Sequence, residues 1–246
     1  MLDLAGFTKP SYHMMKTIWS EEPHIYISTQ PLAESVYTVL EGQVVEKETG
    51  NWKRAKWGWR PINKHWNYPP KQNIVVEVYT NQQGVELFLN DSSLGVQYLQ
   101  DNPDHILKWS VPYSAGTLTA KALDSQITTS LDTAGEPVSI QLNVDKNSLS
   151  ANRYDVAHVT AQLIDKNGNP VYHHNKSIEF TINGALTRLG VDNGASDNIQ
   201  KHQTNTITTV QGRALLIVQS KDLLGQAQIS ASLNGKISST LAITIE

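Results

Sequence analysis

From Ile74 onward, apolar side chains recur at every second position in short runs, the period of strands that bury one face. Ile74–Thr80 (IVVEVYT) and Val85–Asn90 (VELFLN) form the first pair, and Asn81-Gln82-Gln83-Gly84 between them reads as a hairpin with glycine at positive φ. Asn90-Asp91 and Gly95 mark the next turn, and Ile106–Tyr113, Thr117–Leu123 and Ile127–Thr133 follow. Ala134-Gly135-Glu136-Pro137 breaks the pattern. A second series then starts: Val138–Val144, Val156–Asp165, Ser177–Ile182, Thr206–Ser220, Ala227–Leu233 and Thr240–Glu246. Its turns are Asn167-Gly168-Asn169-Pro170, Asn193-Gly194 and Asn234-Gly235. Side chains two apart share a face, which predicts two cores: Val76, Val78, Leu87, Leu89 and Trp109 in one, Val159, Ala161, Leu163, Phe180, Leu216 and Val218 in the other.

The chain before Ile74 reads differently. Thr8 is the expected N-cap, Pro10 sits in the first turn, and Tyr12, Met15, Ile18 and Trp19 recur at helical spacing, so the opening segment predicts an amphipathic helix. The prediction is an all-β chain: two tandem immunoglobulin-like β-sandwiches preceded by one short helix, divided as 1–20, 21–133 and 134–246. Missing crossover helices argue against parallel α/β folds. The helix stripe Tyr12/Met15/Trp19 needs a partner, and self-association through it is an expectation.

Composition narrows the function. With 17% charged residues and a net charge of −3 there is no electrostatic footprint for nucleic acid. The absence of cysteine excludes disulfides, thiolate metal sites and cysteine nucleophiles, and leaves the redox compartment open. No apolar run approaches the roughly 18 residues of a membrane span, so no membrane partner is expected. Met1-Leu2-Asp3 lacks the basic and apolar regions of a signal peptide. With a helix that has nothing before it to pack on, the expectation is that the start is a boundary within a longer protein.

Candidate chemistry is sparse. Asp165-Lys166-Asn167-Gly168-Asn169 has oxygens at alternate positions like the start of a calcium loop, but Lys176 stands where the bidentate acid belongs. Asp192, Asn193 and Asp197 are a second cation candidate that an Asn-Gly turn explains equally. His173 and His174 are adjacent, and neighbours in a strand face opposite ways. Glycosidase chemistry needs two carboxyls facing across a bond, and Glu77, Glu86, Glu136 and Glu179 imply no such pair. No catalytic residue, cofactor or metal is expected. The segment WKRAKWGWRPINKHWNYPP (52–70) holds four of the six tryptophans. Their rings can stack on a sugar face or fill the junction before the first sandwich; Trp57, Trp59 and Trp66 are the candidate carbohydrate-binding residues.

At LDLAGFTKPSYHMMKTIWSEEPHIYI the sequence resembles the end of the catalytic barrel in glycoside hydrolase family 2, the β-galactosidase and β-glucuronidase group. Lys64-His65-Trp66-Asn67-Tyr68, VEVYTN and VELFLNDSSLG are similar to the immunoglobulin-like domain that follows the barrel in Bacteroidetes-type members. WSVPYSAGTLTAKA, TAGEP, VTAQLIDKNGNPV, GVDNG and GRALLIVQS extend the resemblance through a second sandwich, over nearly the whole chain. It implies that residues 1–20 are the last barrel helix, and that the family's two catalytic glutamates lie before this segment, so that no residue here inherits them.

The resemblance implies a non-catalytic C-terminal region of a β-galactosidase-like enzyme of carbohydrate metabolism, a scaffold or substrate-rim module whose partner is the catalytic barrel. It also implies a periplasmic or extracellular place in a bacterium. The aromatic cluster keeps a glycan-binding module as an alternative, and VTAQLIDKNGNPV, similar to adhesin sandwich repeats, keeps an adhesin-like surface module.

Overall fold

The computed structural model describes residues 1–48 and 62–246 of the 246. The chain divides into two compact units, Thr8–Thr133 with Met1, and Ala134–Glu246 with Leu2–Phe7.

In the first unit, helix α1 (Pro10–Trp19) precedes β1 (Ile25–Pro31), β2 (Tyr37–Leu40), β3 (Gln43–Glu46), β4 (Asn73–Thr80), β5 (Gly84–Leu89), β6 (Ser92–Tyr98), β7 (Ile106–Pro112), β8 (Thr117–Ala122) and β9 (Thr128–Asp132). Two sheets, ordered β1-β4-β7 and β6-β5-β8-β9, enclose a core of Ile27, Val76, Val78, Leu87, Leu107, Trp109 and Leu118. Leu89, expected there, is only partly buried. Asn81–Gly84 does not close a hairpin, because β4 and β5 lie in different sheets. Gly84 has no positive φ either; its role is space, since a Cβ would stand 2.8 Å from Leu123 Cδ1 and 2.9 Å from Tyr98 Cδ1. β7 is terminal in its sheet, and Gln97 of β6 meets both backbone groups of Lys108: its Oε1 accepts the N–H at 3.0 Å and its Nε2 donates to the carbonyl.

β4 is buried on both faces from Ile74 to Thr80. Its Val76 and Val78 face the core, while Glu77 pairs across the sheet with Ser28 and Lys108, and Tyr79 with Tyr26 and Ile106. This outer face lies against α1, and Tyr37 of the β2–β3 hairpin sits under the Lys108 ammonium, 5.7 Å from its ring centre.

The second unit contains β10 (Ser139–Val144), β11 (Ser148–Leu149), β12 (Val156–Ile164), β13 (Ser177–Asn183), β14 (Leu186–Asp192), β15 (Thr206–Thr208), β16 (Arg213–Ser220), β17 (Gly225–Leu233) and β18 (Lys236–Ile245). The sheets β10-β12-β16-β14 and β11-β18-β17-β13-β15 bury Val159, Ala161, Leu163, Phe180, Leu216 and Val218 with Ile178, Ile229 and Ile243. Outward positions of β13 alternate as polar residues, the pattern of a sandwich wet on its outer faces. Asn234 and Gly235, at φ 53° and 74°, make the two-residue β17–β18 hairpin that Asn-Gly favours. The run Thr206–Ser220, expected as one strand, is two strands in opposite sheets: Gln211 and Gly212 turn at φ 49° and 65° between them.

Candidate functional site

Trp57 and Trp59 lie outside the described residues. Trp66 is fully buried in the first core: its indole N–H donates to the Ser114 carbonyl at 3.0 Å, and its ring meets Tyr113 and Tyr68 edge-on. It offers no open face to a sugar, and its role is packing. Tyr68 beside it accepts from Asn63 Nδ2 at 3.0 Å and shares a 2.7 Å hydrogen bond with Thr29 Oγ1.

The helix packs through a different face from the one its apolar stripe predicts. Lys9, not Thr8, is the N-cap, and Pro10 occupies the first turn. Trp19 and Ile18 are 67% and 54% exposed. The inward ring is His13, stacked 3.9 Å from Tyr26 at 5° and 5.3 Å from His24 at 3°. Tyr26 stacks in turn on Tyr79 at 6.2 Å. His13 Nδ1 lies 3.2 Å from His24 Nε2, and its Nε2 lies 3.2 Å from Thr8 Oγ1. Asn81, at the end of β4, holds the segment leaving the helix: its Oδ1 accepts from His24 N–H at 2.9 Å, and its Nδ2 donates to the Ser20 and Glu22 carbonyls.

Burial first, then His24, Lys64 and Lys16, lowers the His13 pKa from 6.5 to about 4. Burial and Lys16 lower His24 as well. A His13–His24 hydrogen bond requires one ring to donate and the other to accept, which two neutral imidazoles can do and two protonated ones cannot. With both rings neutral the pair can hold the helix through this hydrogen bond.

Beneath the stack lies Glu77, 0% exposed. Its Oε1 accepts from Gln30 Nε2 at 2.9 Å and its Oε2 from the Tyr79 hydroxyl at 2.6 Å. Burial and the adjacent carboxylate push the Tyr79 hydroxyl well above its ordinary range. A glycosidase carboxyl must reach an open cleft, and this one is sealed. The other acids singled out lie at the surface, each with a polar contact: Glu86 with Ser93 Oγ, Glu136 with His174, Glu179 with Asn205.

The suspected cation loops are self-contained turns. Asp165 Oδ1 accepts from Asn167 and Asn169 N–H at 2.8 and 2.9 Å, and its Oδ2 from Gly135 N–H at 2.8 Å. Burial opposes ionisation, but these donors outweigh it and hold the carboxyl below its usual range. Asp192 Oδ1 accepts from Gly194 N–H, while Asn193 accepts from Ala195 N–H and donates to the Thr208 carbonyl. Among the described residues no group of three His, Asp or Glu side chains could hold a metal ion, and no helix is long and apolar enough to cross a membrane.

His13, His24 and Asn81 carry no sequence motif. The signal that could have found the layer is Glu77 itself, a carboxylate inside an apolar strand that only a covered face can accommodate.

Residues 140–242 match the family model "Glycoside hydrolase family 2 C-terminal domain 5", and residues 71–126 match a domain of unknown function. A β-galactosidase, BoGH2A, of Bacteroides ovatus is 26% identical over 250 residues, spanning 100% of this chain and 25% of the relative. A putative β-glucuronidase of Formosa agariphila is 26% identical, over 78% of this chain and 16% of its own length. The chain thus spans a quarter or less of these relatives. Among solved structures, a family 2 glycosyl hydrolase from Bacteroides cellulosilyticus superposes with a TM-score of 0.82 at 28% identity, over 100% of this chain and 31% of that one. A β-glycosidase from Bacteroides vulgatus shares the fold, with a TM-score of 0.79 at 24% identity.

Proposed function

We propose that this chain, which corresponds over its whole length to the C-terminal region of glycoside hydrolase family 2 enzymes, is a non-catalytic accessory part of such an enzyme. It serves as a scaffold for the catalytic barrel, of which residues 1–20 are read as the last helix, and that barrel is its partner. The observation that carries the reading is the match of all of this chain to only a quarter of a β-galactosidase. Glu77, sealed beneath the helix, has no access to a substrate. A periplasmic or extracellular place in a bacterium belongs to this reading and rests on the family resemblance; the relatives matched come from Bacteroides and Formosa.

Purified chain incubated with aryl β-galactoside and aryl β-glucuronide is expected to release no aryl product above buffer. Saturable turnover that co-purifies with the chain through two separate columns would sink the reading. A glycan-binding contribution rests on Trp57 and Trp59, since Trp66 is spent in the core. Calorimetric titration with oligosaccharides, repeated on Trp57→Ala and Trp59→Ala, decides it.

A further inference from the structure

Leu2–Phe7 belongs to the second unit, although it lies more than a hundred residues away from the rest of it in sequence. The segment is a closed turn. Asp3 Oδ1 accepts from Ala5 N–H at 3.0 Å and Phe7 N–H at 2.9 Å, Asp3 N–H donates to the Phe7 carbonyl at 2.9 Å, and Gly6 takes the positive φ of 82° that the closure needs. The turn is seated by three features. Leu4 N–H donates to the Gly194 carbonyl at 3.4 Å. The Arg213 guanidinium lies over the Phe7 ring, 4.4 Å from its centre, within cation–π range. The same guanidinium stands 4.0 Å from Asp3 Oδ2, with the two side chains 12% and 11% exposed. Gly194 makes the approach possible: at φ 80°, a Cβ there would fall 2.4 Å from Asp3 Oδ2.

A tether that merely ran past the unit would need none of this. The seat supplies a cation for the acid and a planar face for the aromatic ring. It also supplies an accepting carbonyl for the turn's backbone and a missing side chain where the carboxylate comes closest. We propose that the second unit is a peptide-recognition module whose site, built on Gly194 and Arg213, takes an Asp-x-x-Gly-Phe turn. In this chain the ligand is its own Leu2–Phe7. The inference stands apart from the accessory role argued above, since it concerns only what the unit recognises.

The test uses the full chain carrying Asp3→Ala and Phe7→Ala, which frees the seat without touching it, and the capped peptide acetyl-LDLAGF-amide as probe. Amide chemical shifts of Gly194, Ala195 and Arg213 are the readout. The peptide is expected to saturate the variant at a concentration at least tenfold below any effect on the unaltered chain, whose own segment competes at the effective concentration of a tether. Adding Gly194→Ala to the variant is expected to weaken the peptide at least tenfold. Equal shifts in variant and unaltered chain, or none in either up to millimolar peptide, overturn the proposal. A second measurement needs no variant: the Phe7 amide in the unaltered chain is expected to exchange its hydrogen at least tenfold more slowly than in the free peptide. Exchange at the free-peptide rate also overturns it.

Discussion

The two units solve the same problem with different materials. The second closes apolar inner faces on one another and, along β13, leaves the outward positions to water, so that strand alternates buried and exposed along its length. The first covers its three-stranded sheet on both sides: Val76 and Val78 of β4 face an apolar core, while Glu77 and Tyr79 face a polar layer beneath α1. A polar-outside rule describes β13 and fails for β4; in the second unit it gives way where Gln162 and Leu215 are buried on the outward side of β12 and β16. The difference is that burial without apolarity demands a named partner for each polar atom, whereas apolar burial demands only volume.

The coarsest way to break the comparison is to hollow each core. Leu87 and Leu163 are both fully buried, and truncating either to alanine is expected to cost about 2–5 kcal/mol in its own unit. Calorimetry should show Leu87→Ala lowering one transition and Leu163→Ala the other. If both move one shared transition equally, the units do not fold separately and the contrast is one of surfaces alone.

Glu77→Gln sharpens it. The amide keeps the volume but presents an N–H₂ where the Tyr79 hydroxyl or Gln30 amide donates, and about 1–3 kcal/mol of first-unit stability is expected to go. The matching change in the second unit, Glu179→Gln, touches an exposed acid bonded to Asn205 and is expected to stay within about 0.5 kcal/mol. Equal effects in denaturant titrations would remove the distinction between the layers. Between these two, Asp165→Ala frees the Gly135, Asn167 and Asn169 amides and is expected to cost the second unit about 1–2 kcal/mol, with faster hydrogen exchange at Gly135.

Acid should separate the units by window. The His13 value is depressed from 6.5 to about 4, so below pH 6.5 the unfolded chain takes up a proton that the folded chain refuses. First-unit stability is therefore expected to fall as pH drops from 6.5 to about 4, with His24 acting in the same direction. In the second unit His173, lowered by burial and by His174, adds a smaller loss over that range. The groups Asp165 and Asp145 have folded values below the ordinary 3.8, and their contribution is lost only as pH falls through and beneath it. Melting series from pH 7 to 3 on the unaltered chain and on His13→Phe check this: the substitution should flatten the first unit's decline and leave the second unit's alone.

What could be read in the sequence follows the same divide. The second core was legible side chain by side chain because period two and one-sided burial coincide there, and Asn234-Gly235 named its own turn. Turn chemistry does not say which sheet receives the next strand: Asn81–Gly84 leads across the sandwich instead of back along it, and Gln211-Gly212 splits an apparently continuous run. The helix was legible as a helix but not by its contact face. Apolarity pointed to Met15 and Trp19, while the seat beneath is made of Tyr26 and His24, which suits the flat imidazole of His13 better than an aliphatic side chain. Trp66 could be read either as a sugar platform or as filling for the junction before the first sandwich, and its inward ring, edge-on to Tyr113, is the second.

The Gln97 amide on Lys108 has a consequence beyond joining two strands. The rim of a sheet is where the backbone of another molecule can add itself, rung by rung, and so begin a fibre. At Lys108 the two groups that an incoming strand would grasp are already held by a side chain that has no next rung to offer. One glutamine thus fills, at Lys108, the pairing position that an added strand would need.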